Sequence, residues 1–483
     1  MRAKILDLAI QGKLTDQREE DGNARDLLKE IQAEKEKLIK EKKIKKEKPL
    51  PEIEADEIPF EIPKNWMWAR WGTLSISIKY GYNTSAQKDG KIKMVRISDI
   101  QNNQVNWDSV PFCNIPKEEI TQYLLRKNDI LFARTGGTVG KSYLVSEVPE
   151  NVVYAGYLIR TRYSEKLSPQ YLKYFMESDL YWSQLKKGTT TTAQPNCNAK
   201  TLGKMVLPLP PLAEQKRIAD KVATLFAQLD AIDKAYEEYR ELQQTMKAKL
   251  LDLAVQGKLT DQREEDGNSR DLFNDIQKEK QRLIAEKKIK KEKPLPEIEA
   301  DEIPFEIPTN WMWARLGDIV SKTIKRGKSP KYSITGDVLV FAQKCNTKPG
   351  RINLELAKKL DLSTLKKYPE EEFMLSSDIV INSTGNGTMG RVGFFRDKDN
   401  PYNLKIVPDS HVTTIRVLHD LIDSQYIFYF LKKLQPKLES SGDGSTNQKE
   451  LKATIIASIC IPLPPLDEQK RIVAKLDELL PLL

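Results

Sequence analysis

The chain has 483 residues, 39% of them hydrophobic and 30% charged, and 78 basic against 69 acidic residues give a formal net charge of +9. At ~150 residues per domain about three units are expected, and no uninterrupted apolar run approaches the ~18 residues of a membrane span. The basic excess favours a polyanionic partner, nucleic acid before membrane, because Lys and Arg neutralise phosphates.

The cysteines and the N-terminus indicate a cytoplasmic setting. Four cysteines occur singly and no CxxC pair exists, so neither a zinc knuckle nor a disulfide framework is expected. The N-terminal run MRAKILDLAIQGKL lacks the long apolar stretch and the small-residue cleavage site of a signal peptide.

The chain is written twice. Residues 1–70 align without a gap on 246–315 with 58 identities, and 207–225 matches 461–479. The offset is 245 in the first repeat and 254 in the second, so the divergent segment between them is nine residues longer in the second copy. Near-identical segments around divergent ones indicate a fixed frame that carries a variable specificity.

Each copy begins with a charged helical run followed by a divergent α+β segment. Lys/Glu-rich runs at 25–48 and 270–293 end at prolines and predict solvated helical faces, or else surfaces for DNA phosphates or a protein. The divergent segments predict short strands between turns and then one helix. In the first copy the strands are predicted at 94–100, 129–133 and 157–163, and the helix near 168–186. The second copy has strands in the same order, followed by a helix near 423–438.

A glycine-rich turn follows the second strand in each copy. FARTGGTVGKS at 132–142 resembles a phosphate-binding loop, but Thr135 stands where G-x-x-x-x-G-K-[ST] requires its first glycine. In the counterpart, INSTGNGTMGRVGFF, Arg391 and Val392 replace the Lys and the hydroxyl residue. Each copy fails the motif differently, which argues against nucleotide binding.

A long helix is predicted after the first divergent segment. Residues from Leu212 to Gln256 include no Gly or Pro, and their apolar residues keep a seven-residue beat over about five heptads, which predicts a coiled coil. The second copy of this long helix begins after Pro465 and stops at Leu483, so the helix there is either short or truncated. Met1 resumes at the counterpart of Met246, which makes the repeat circularly permuted.

No catalytic or metal site is predicted. Asp399-Asn400-Pro401-Tyr402 has one proline where the tetrad of adenine methyltransferases has two. The two histidines, His411 and His419, both lie in the second copy, so no histidine-based active site is common to both copies.

Polar side chains on the glycine turns are the candidates for base contacts, and neighbouring basic residues are the candidates for phosphate contacts. The alternatives are a turn whose glycines serve backbone geometry and an exposed basic loop. The polar runs 188–196 and 440–448 are further candidates. The base-contact set is Arg134, Thr135, Thr138 and Lys141, then Asn382, Ser383, Thr384, Asn386 and Arg391; the phosphate-contact set is Lys79 with Tyr80, and Lys325, Arg326 and Lys328.

The whole chain resembles the specificity subunit of type I restriction–modification enzymes. The resemblance lies in two divergent domains, each entered through NWMWAR (65–70, 310–315) and left through P-L-P-P-L-x-E-Q-K-R-I (208–218, 462–472). It implies two target recognition domains on a pseudo-two-fold, circularly permuted frame with long coiled-coil spacer helices. It also implies a subunit without catalysis, which reads a bipartite site in double-stranded DNA.

The resemblance further implies partners. Adenine methyltransferase subunits and restriction–translocase subunits would carry S-adenosylmethionine, ATP and Mg²⁺, with none bound by this chain. Docking is expected through Gln215, Arg217, Gln469 and Arg471, although these residues could instead cap and pair locally. A protein-only coiled-coil scaffold and a self-contained methyltransferase or nuclease are the alternatives. The expected segments are 1–65 (helical repeat and connector), 66–206 (first recognition domain), 207–257 (central helix), 258–310 (second connector), 311–460 (second recognition domain) and 461–483 (short distal helix).

Overall fold

A computed structural model describes residues 1–189, 196–348, 350–440 and 450–483. The chain divides into two compact units, Met1–Ala235 (unit 1) and Tyr236–Leu483 (unit 2). Each unit contains helices and sheets, which confirms the α+β class. Among the described residues, no helix combines the length and apolar character that crossing a membrane would require.

Unit 1 begins with helices of the repeated frame and continues into a mostly β segment. Asn23 is the N-cap of helix α2 (Ala24–Lys40), and its side chain accepts a hydrogen bond from the Arg25 amide. The helices are α1 Arg2–Ile10, α2 Ala24–Lys40, α3 Trp71–Leu74, α4 Lys117–Tyr123, α5 Pro169–Phe175, α6 Asp179–Gly188, α7 Ala199–Lys204 and α8 Leu212–Val255; the strands are β1 Met67–Arg70, β2 Ser75–Tyr80, β3 Ile92–Val95, β4 Ile100–Gln101, β5 Gln104–Val105, β6 Phe112–Cys113, β7 Ile130–Ala133, β8 Ser142–Leu144, β9 Val152–Tyr154, β10 Leu158–Tyr163 and β11 Val206–Leu209.

Small sheets organise the divergent segment of unit 1, and one of them is the two-stranded pair of β4 and β5. The entry strand β1 pairs with the exit strand β11, which closes the segment at its base. A four-stranded antiparallel sheet has the order β2-β10-β7-β8, and a three-stranded sheet has the order β6-β3-β9 with β3 parallel to β9. Strand β7 is buried along its whole length, as its continuous apolar run ILFA predicts.

Unit 2 repeats this plan with a different sequence. Strand β12 pairs with β21, the four-stranded sheet has the order β13-β20-β17-β18, and β15 runs parallel to β19 in a sheet of order β14-β16-β15-β19. Its further helices are α9 Ser269–Ala285, α10 Ser424–Ser440, α11 Ala453–Ala457 and α12 Leu466–Leu479; its strands are β12 Met312–Arg315, β13 Lys325–Arg326, β14 Tyr332–Ser333, β15 Val338–Phe341, β16 Lys358–Leu360, β17 Ile379–Asn382, β18 Val392–Phe394, β19 Lys405–Pro408, β20 Val412–Ile415 and β21 Cys460–Leu463.

Residues that are identical in the two copies hold each frame together. The buried Glu214 carboxylate accepts hydrogen bonds from the Trp66 indole at 2.7 Å and from the Gln17 amide at 2.6 Å. Burial raises the pKa of Glu214, and these hydrogen bonds oppose the rise. Glu468 makes the same contact with Trp311 at 2.8 Å in unit 2. The internal identity therefore has a structural cause.

Helix α8 confirms the long helix expected from the sequence. At its start Ile218 and Val222 belong to the core of unit 1, and at its end Ala254 and Val255 belong to the core of unit 2. Between these anchored ends the predicted seam is solvent-exposed. The exposed fractions of its apolar residues are 62% for Ile232, 60% for Tyr236, 54% for Tyr239 and 44% for Met246.

Candidate nucleic-acid interface

In unit 1 three chain segments converge at one edge of the four-stranded sheet. Strand β2 ends at Lys79 and Tyr80, the glycine turn 134–141 connects β7 to β8, and Tyr157 precedes β10. The Arg134 amide donates to the Tyr157 carbonyl at 3.1 Å, and the Gly81 amide donates to the Leu158 carbonyl at 3.0 Å. The sheet therefore brings the glycine turn and the basic loop of the first copy together.

The glycine turn of unit 1 is a tight main-chain structure. The Ala133 amide donates to the Lys141 carbonyl, and the Gly140 amide donates back to the Ala133 carbonyl, both at 2.9 Å. Gly140 has φ +91°, and a Cβ there would collide with Leu185 and Trp182 on α6. Gly137 has open space around it. Backbone geometry thus explains Gly140 but not Gly137.

Cations dominate the edge of unit 1. Lys79 and Lys141 are exposed, and the Arg134 guanidinium lies 4.6 Å from the centre of the Tyr80 ring, a cation–π contact. The Arg134 Nε is buried, with no hydrogen-bond partner among the described residues. Thr135 and Thr138 are half-buried on the same turn. This positive edge has the chemistry of a phosphate-binding surface.

The matching edge of unit 2 is basic but internally paired. Lys325 lies 2.7 Å and Lys328 3.7 Å from the Glu372 carboxylate, and Arg326 lies 3.2 Å from Glu450. Burial alone would raise the pKa of Glu372, but the hydrogen bond from Lys325 and the neighbouring lysine charges leave it below its usual value. These cations are therefore partly neutralised within the unit.

Burial corrects two members of the expected base-contact set. Asn382 and Ser383 are completely buried. The Asn382 amide donates to the Gln343 carbonyl at 3.1 Å, and the Ser383 hydroxyl shares a hydrogen bond with Thr413 at 2.6 Å. Both side chains form their hydrogen bonds inside the sheet, because Asn382 ends strand β17 and Ser383 follows it directly. As placed, neither side chain can reach a base.

The rest of the glycine turn in unit 2 stays at the surface. Asn386 is exposed and Thr384 is half-buried. The Thr384 hydroxyl lies 2.6 Å from His411 Nδ1. Arg391 donates to the carbonyls of Asn346 at 2.8 Å and Gly387 at 3.2 Å, so its guanidinium lies against its own turn.

Sequence reasoning missed two residues at these edges, Tyr157 and His411. Tyr157 precedes β10 and is 61% exposed, and His411 precedes β20 in the same place. The sequence by itself favours a core or surface role for His411 and gives no sign of a place at this edge. The signal that could have found the pair was the alignment of the two third strands, since the residue before each strand faces the glycine turn.

The polar runs lie only in part within the described residues. Residues 190–195 and 441–449 are outside them. Next to the first gap Asn196 forms a β-bridge with Thr135, and next to the second Glu450 forms one with Thr384. The chain on the C-terminal side of each run is therefore attached to its glycine turn.

The expected docking residues all make contacts inside the units. Gln215 is completely buried; its side chain accepts from the Ser168 amide and donates to the Pro210 carbonyl, both at 2.9 Å. Gln469 makes the equivalent contacts with Asp423 and Pro464. Arg217 forms a two-pronged ion pair with Asp21, at 2.5 and 2.6 Å, and Arg471 forms the same pair with Asp266. Local pairing, the alternative kept open, describes these four residues.

Among the described residues no group of three or more His, Cys, Asp or Glu side chains is placed to hold a metal ion.

The sequence profile described as "Type I restriction modification DNA specificity domain" matches residues 78–239 and 308–481. The chain belongs to this family of specificity subunits. The resemblance stated from the sequence is thereby confirmed, and DNA sequence recognition without catalysis is the function of the chain.

Similar proteins cover nearly the whole specificity subunit. It is 27% identical to the type I restriction enzyme EcoAI specificity subunit of Escherichia coli, over 99% of this chain and 88% of the relative. The EcoEI specificity subunit of Escherichia coli is 26% identical with the same coverage. The crystal structure of the HsdS subunit of Thermoanaerobacter tengcongensis has a TM-score of 0.52 at 19% identity, covering 87% of this chain and 90% of that one. This structural likeness supports the fold.

The two edges of the specificity subunit share a main chain and differ in side chains. The hydrogen bond from Ala155 to Val95 in unit 1 corresponds to that from Asp409 to Phe341 in unit 2, at 2.9 and 3.0 Å. These bonds and the ends of the turns define which positions are equivalent. Threonine is kept at two positions, since Thr135 and Thr138 of unit 1 correspond to Thr384 and Thr388 of unit 2. At the other equivalent positions the side chain differs between the units; the pairs, with the unit 1 residue first, are Tyr80 and Arg326, Arg134 and Ser383, Lys141 and Arg391, Tyr157 and His411, and Asn196 and Glu450.

Proposed function

We propose that this specificity subunit reads a bipartite site in double-stranded DNA, one half with each unit, and directs adenine methyltransferase and restriction–translocase subunits to that site. The observation that carries the proposal is the sheet edge that is built twice from equivalent main-chain hydrogen bonds and bears different side chains. A shared main chain positions each edge in the same way, while the side chains give each half its own preference.

The energetics favour two modest readers over one strong one. A good bidentate contact to a base contributes about 1–3 kcal/mol of discrimination, so the two halves multiply their separate discriminations. Helix α8 has residues in both units, so one chain carries both readers. Lys79 and Lys141 are proposed as phosphate contacts, which strengthen binding without sequence preference.

The proposal also assigns the chemistry to the partners. Methyl transfer from S-adenosylmethionine and ATP- and Mg²⁺-dependent translocation belong to the methyltransferase and restriction–translocase subunits. The docking surface for these partners lies outside the buried amides of Gln215 and Gln469, since those already have partners within the units.

Replacing residues 66–206 with the equivalent segment of another specificity subunit tests the proposal. Methylome sequencing of cells carrying the original or the exchanged gene, with its methyltransferase, should show one half of the methylated site changed and the other half intact. A site that changes in both halves would refute the two-unit model.

The alternatives have separate tests. Methyl transfer by the purified chain incubated alone with DNA and labelled S-adenosylmethionine would identify a self-contained enzyme. Equal affinity for all DNA sequences, even with the methyltransferase subunits present, would identify a protein-only scaffold.

A further inference from the structure

An open cavity of about 580 Å³ lies beside the glycine turn of unit 1. Its lining is mostly apolar and includes Met94, Ile97, Ile100 and Ala155, together with the hydroxyl residues Thr84, Ser98 and Thr138 and with Tyr157. The cavity opens at the ends of the parallel strands β3 and β9, next to the exposed ring of Tyr157. It therefore adjoins the edge that we propose as the DNA-reading surface.

Unit 2 places a polar residue, Gln343, at the position equivalent to Ile97 of unit 1. The main-chain correspondence of Val95 with Phe341 makes Ile97 equivalent to Gln343, since each begins a short 3-10 turn two residues later. The Gln343 carboxamide oxygen accepts from the Thr388 hydroxyl at 3.3 Å, so it reaches the glycine turn of unit 2. A Cβ on Gly385 would collide with this oxygen.

The two units thus present different chemistry behind the same turn. Gln343 contributes hydrogen-bonding groups in unit 2, whereas Ile97 and Thr138 both line a mostly apolar recess in unit 1. The one guanidinium on the wall, that of Arg96, is already held by the Asp99 carboxylate at 2.7 and 3.1 Å.

We propose that this recess takes the 5-methyl group of a thymine in the half-site read by unit 1, with Ile97 as a specificity-determining residue. In the major groove the hydrogen-bonding edges of bases lose water without compensation against apolar walls. The thymine methyl is the apolar group that base pairs present there. The proposal rests on the proposed function, since it names what one of the two edges reads.

The test uses the full chain with its methyltransferase subunits and the mapped DNA site. The half assigned to unit 1 is identified by the exchange of 66–206. Each thymine in that half is then replaced by deoxyuridine, which removes only the methyl group, and affinity is measured by fluorescence anisotropy. At one position we expect binding to weaken about three- to tenfold, the factor that burial of one methyl group contributes.

Two controls separate the methyl contact from other effects. Deoxyuridine in the half read by unit 2 should change affinity less than about twofold, because the polar Gln343 stands at the position equivalent to Ile97. Ile97→Gln, which places the unit 2 residue in unit 1, should bind the thymine and deoxyuridine duplexes equally. The wild-type duplex comparison stands by itself if this variant fails to fold.

The inference is overturned if the half-site has no thymine, if no deoxyuridine substitution in it weakens binding, or if the Ile97→Gln variant keeps the full sensitivity. Those results leave the proposed function intact. Loss of all sequence preference in the wild-type complex would instead refute the proposed function itself.

Discussion

Two glycines of the unit 1 turn should respond in opposite ways to alanine. Gly140 has φ +91°, and an added Cβ would lie 2.6 Å from the Trp182 ring and closer still to Leu185. A left-handed conformation costs an L-residue roughly 1–2 kcal/mol, and overpacking costs typically about 1–3 kcal/mol. Gly140→Ala should therefore destabilise unit 1 by about 2–5 kcal/mol.

Gly137 provides the matched control on the same turn. Its φ is not in the left-handed region, and an added Cβ would meet nothing within 4 Å. Gly137→Ala should leave stability within about 1 kcal/mol of the wild type, since a compatible Gly→Ala change mainly restricts the unfolded chain. If the turn lies against DNA, however, the new methyl group occupies the space that DNA needs.

Calorimetry and anisotropy on the mapped site measure the two effects. At about 2–4 °C per kcal/mol for 150–250 residues, the unit 1 transition of Gly140→Ala should fall by roughly 4–20 °C. Gly137→Ala should melt like the wild type and bind its half-site more weakly. A wild-type melting temperature for Gly140→Ala would refute the packing argument, and unchanged binding by Gly137→Ala would show that the turn stays away from DNA.

Three further predictions concern charge. Lys79→Gln should weaken binding similarly for all sequences and reduce the slope of log K against log salt by about 1, as a salt titration would show; a base-dependent loss would contradict a phosphate contact. Burial lowers the pKa of Lys322 to about 8. Between about pH 8 and 10.5 the unfolded chain therefore binds more protons than the folded chain, and stability should rise with pH across that window. Thermal melts at several pH values should show this rise for the wild type and not for Lys322→Met. Asp378 is completely buried and lies 2.7 Å from Arg416, so Asp378→Asn should lower the free energy of unfolding by about 3–5 kcal/mol. Asp275 belongs to an exposed ion pair, and Asp275→Asn should lower it by less than about 1 kcal/mol. Equal losses for the two variants in denaturant titrations would argue against burial as the cause.

Much of the fold follows from repeats and periodicity. The long helix was predicted for 212–256 and spans Leu212–Val255, and the strand predicted at 157–163 spans Leu158–Tyr163. The helix near 168–186 is two helices, because Ser178 caps a second one through its bond to the Tyr181 amide. A serine within a helical pattern does not reveal from sequence whether it caps or continues the helix.

The candidate site was harder to predict than the fold. Sequence analysis located both glycine turns, but it could not tell that Asn382 and Ser383 point into the sheet, since strand β17 is buried on both faces and offers no alternation to follow. The internal hydrogen bonds of Gln215 could not be read from the sequence for a related reason. Its position beside a helix seam suggested a partner, whereas its amide completes hydrogen bonds of the loop before α5. Polar residues need their partners located before a role can be assigned.

On the proposed function, the charge arrangement predicts that the two half-sites contribute differently to affinity. Among the described residues no ion pair involves Lys79, Arg134 or Lys141 in unit 1, whereas Lys325 and Arg326 in unit 2 are held by carboxylates at 2.7 and 3.2 Å. Phosphates must compete with those carboxylates, so unit 2 gains less from counterion release. Removing the competitor should reverse this. Glu450→Gln should increase both the affinity of the complex and its salt dependence. A salt slope that stays the same would mean that Arg326 does not face DNA phosphates.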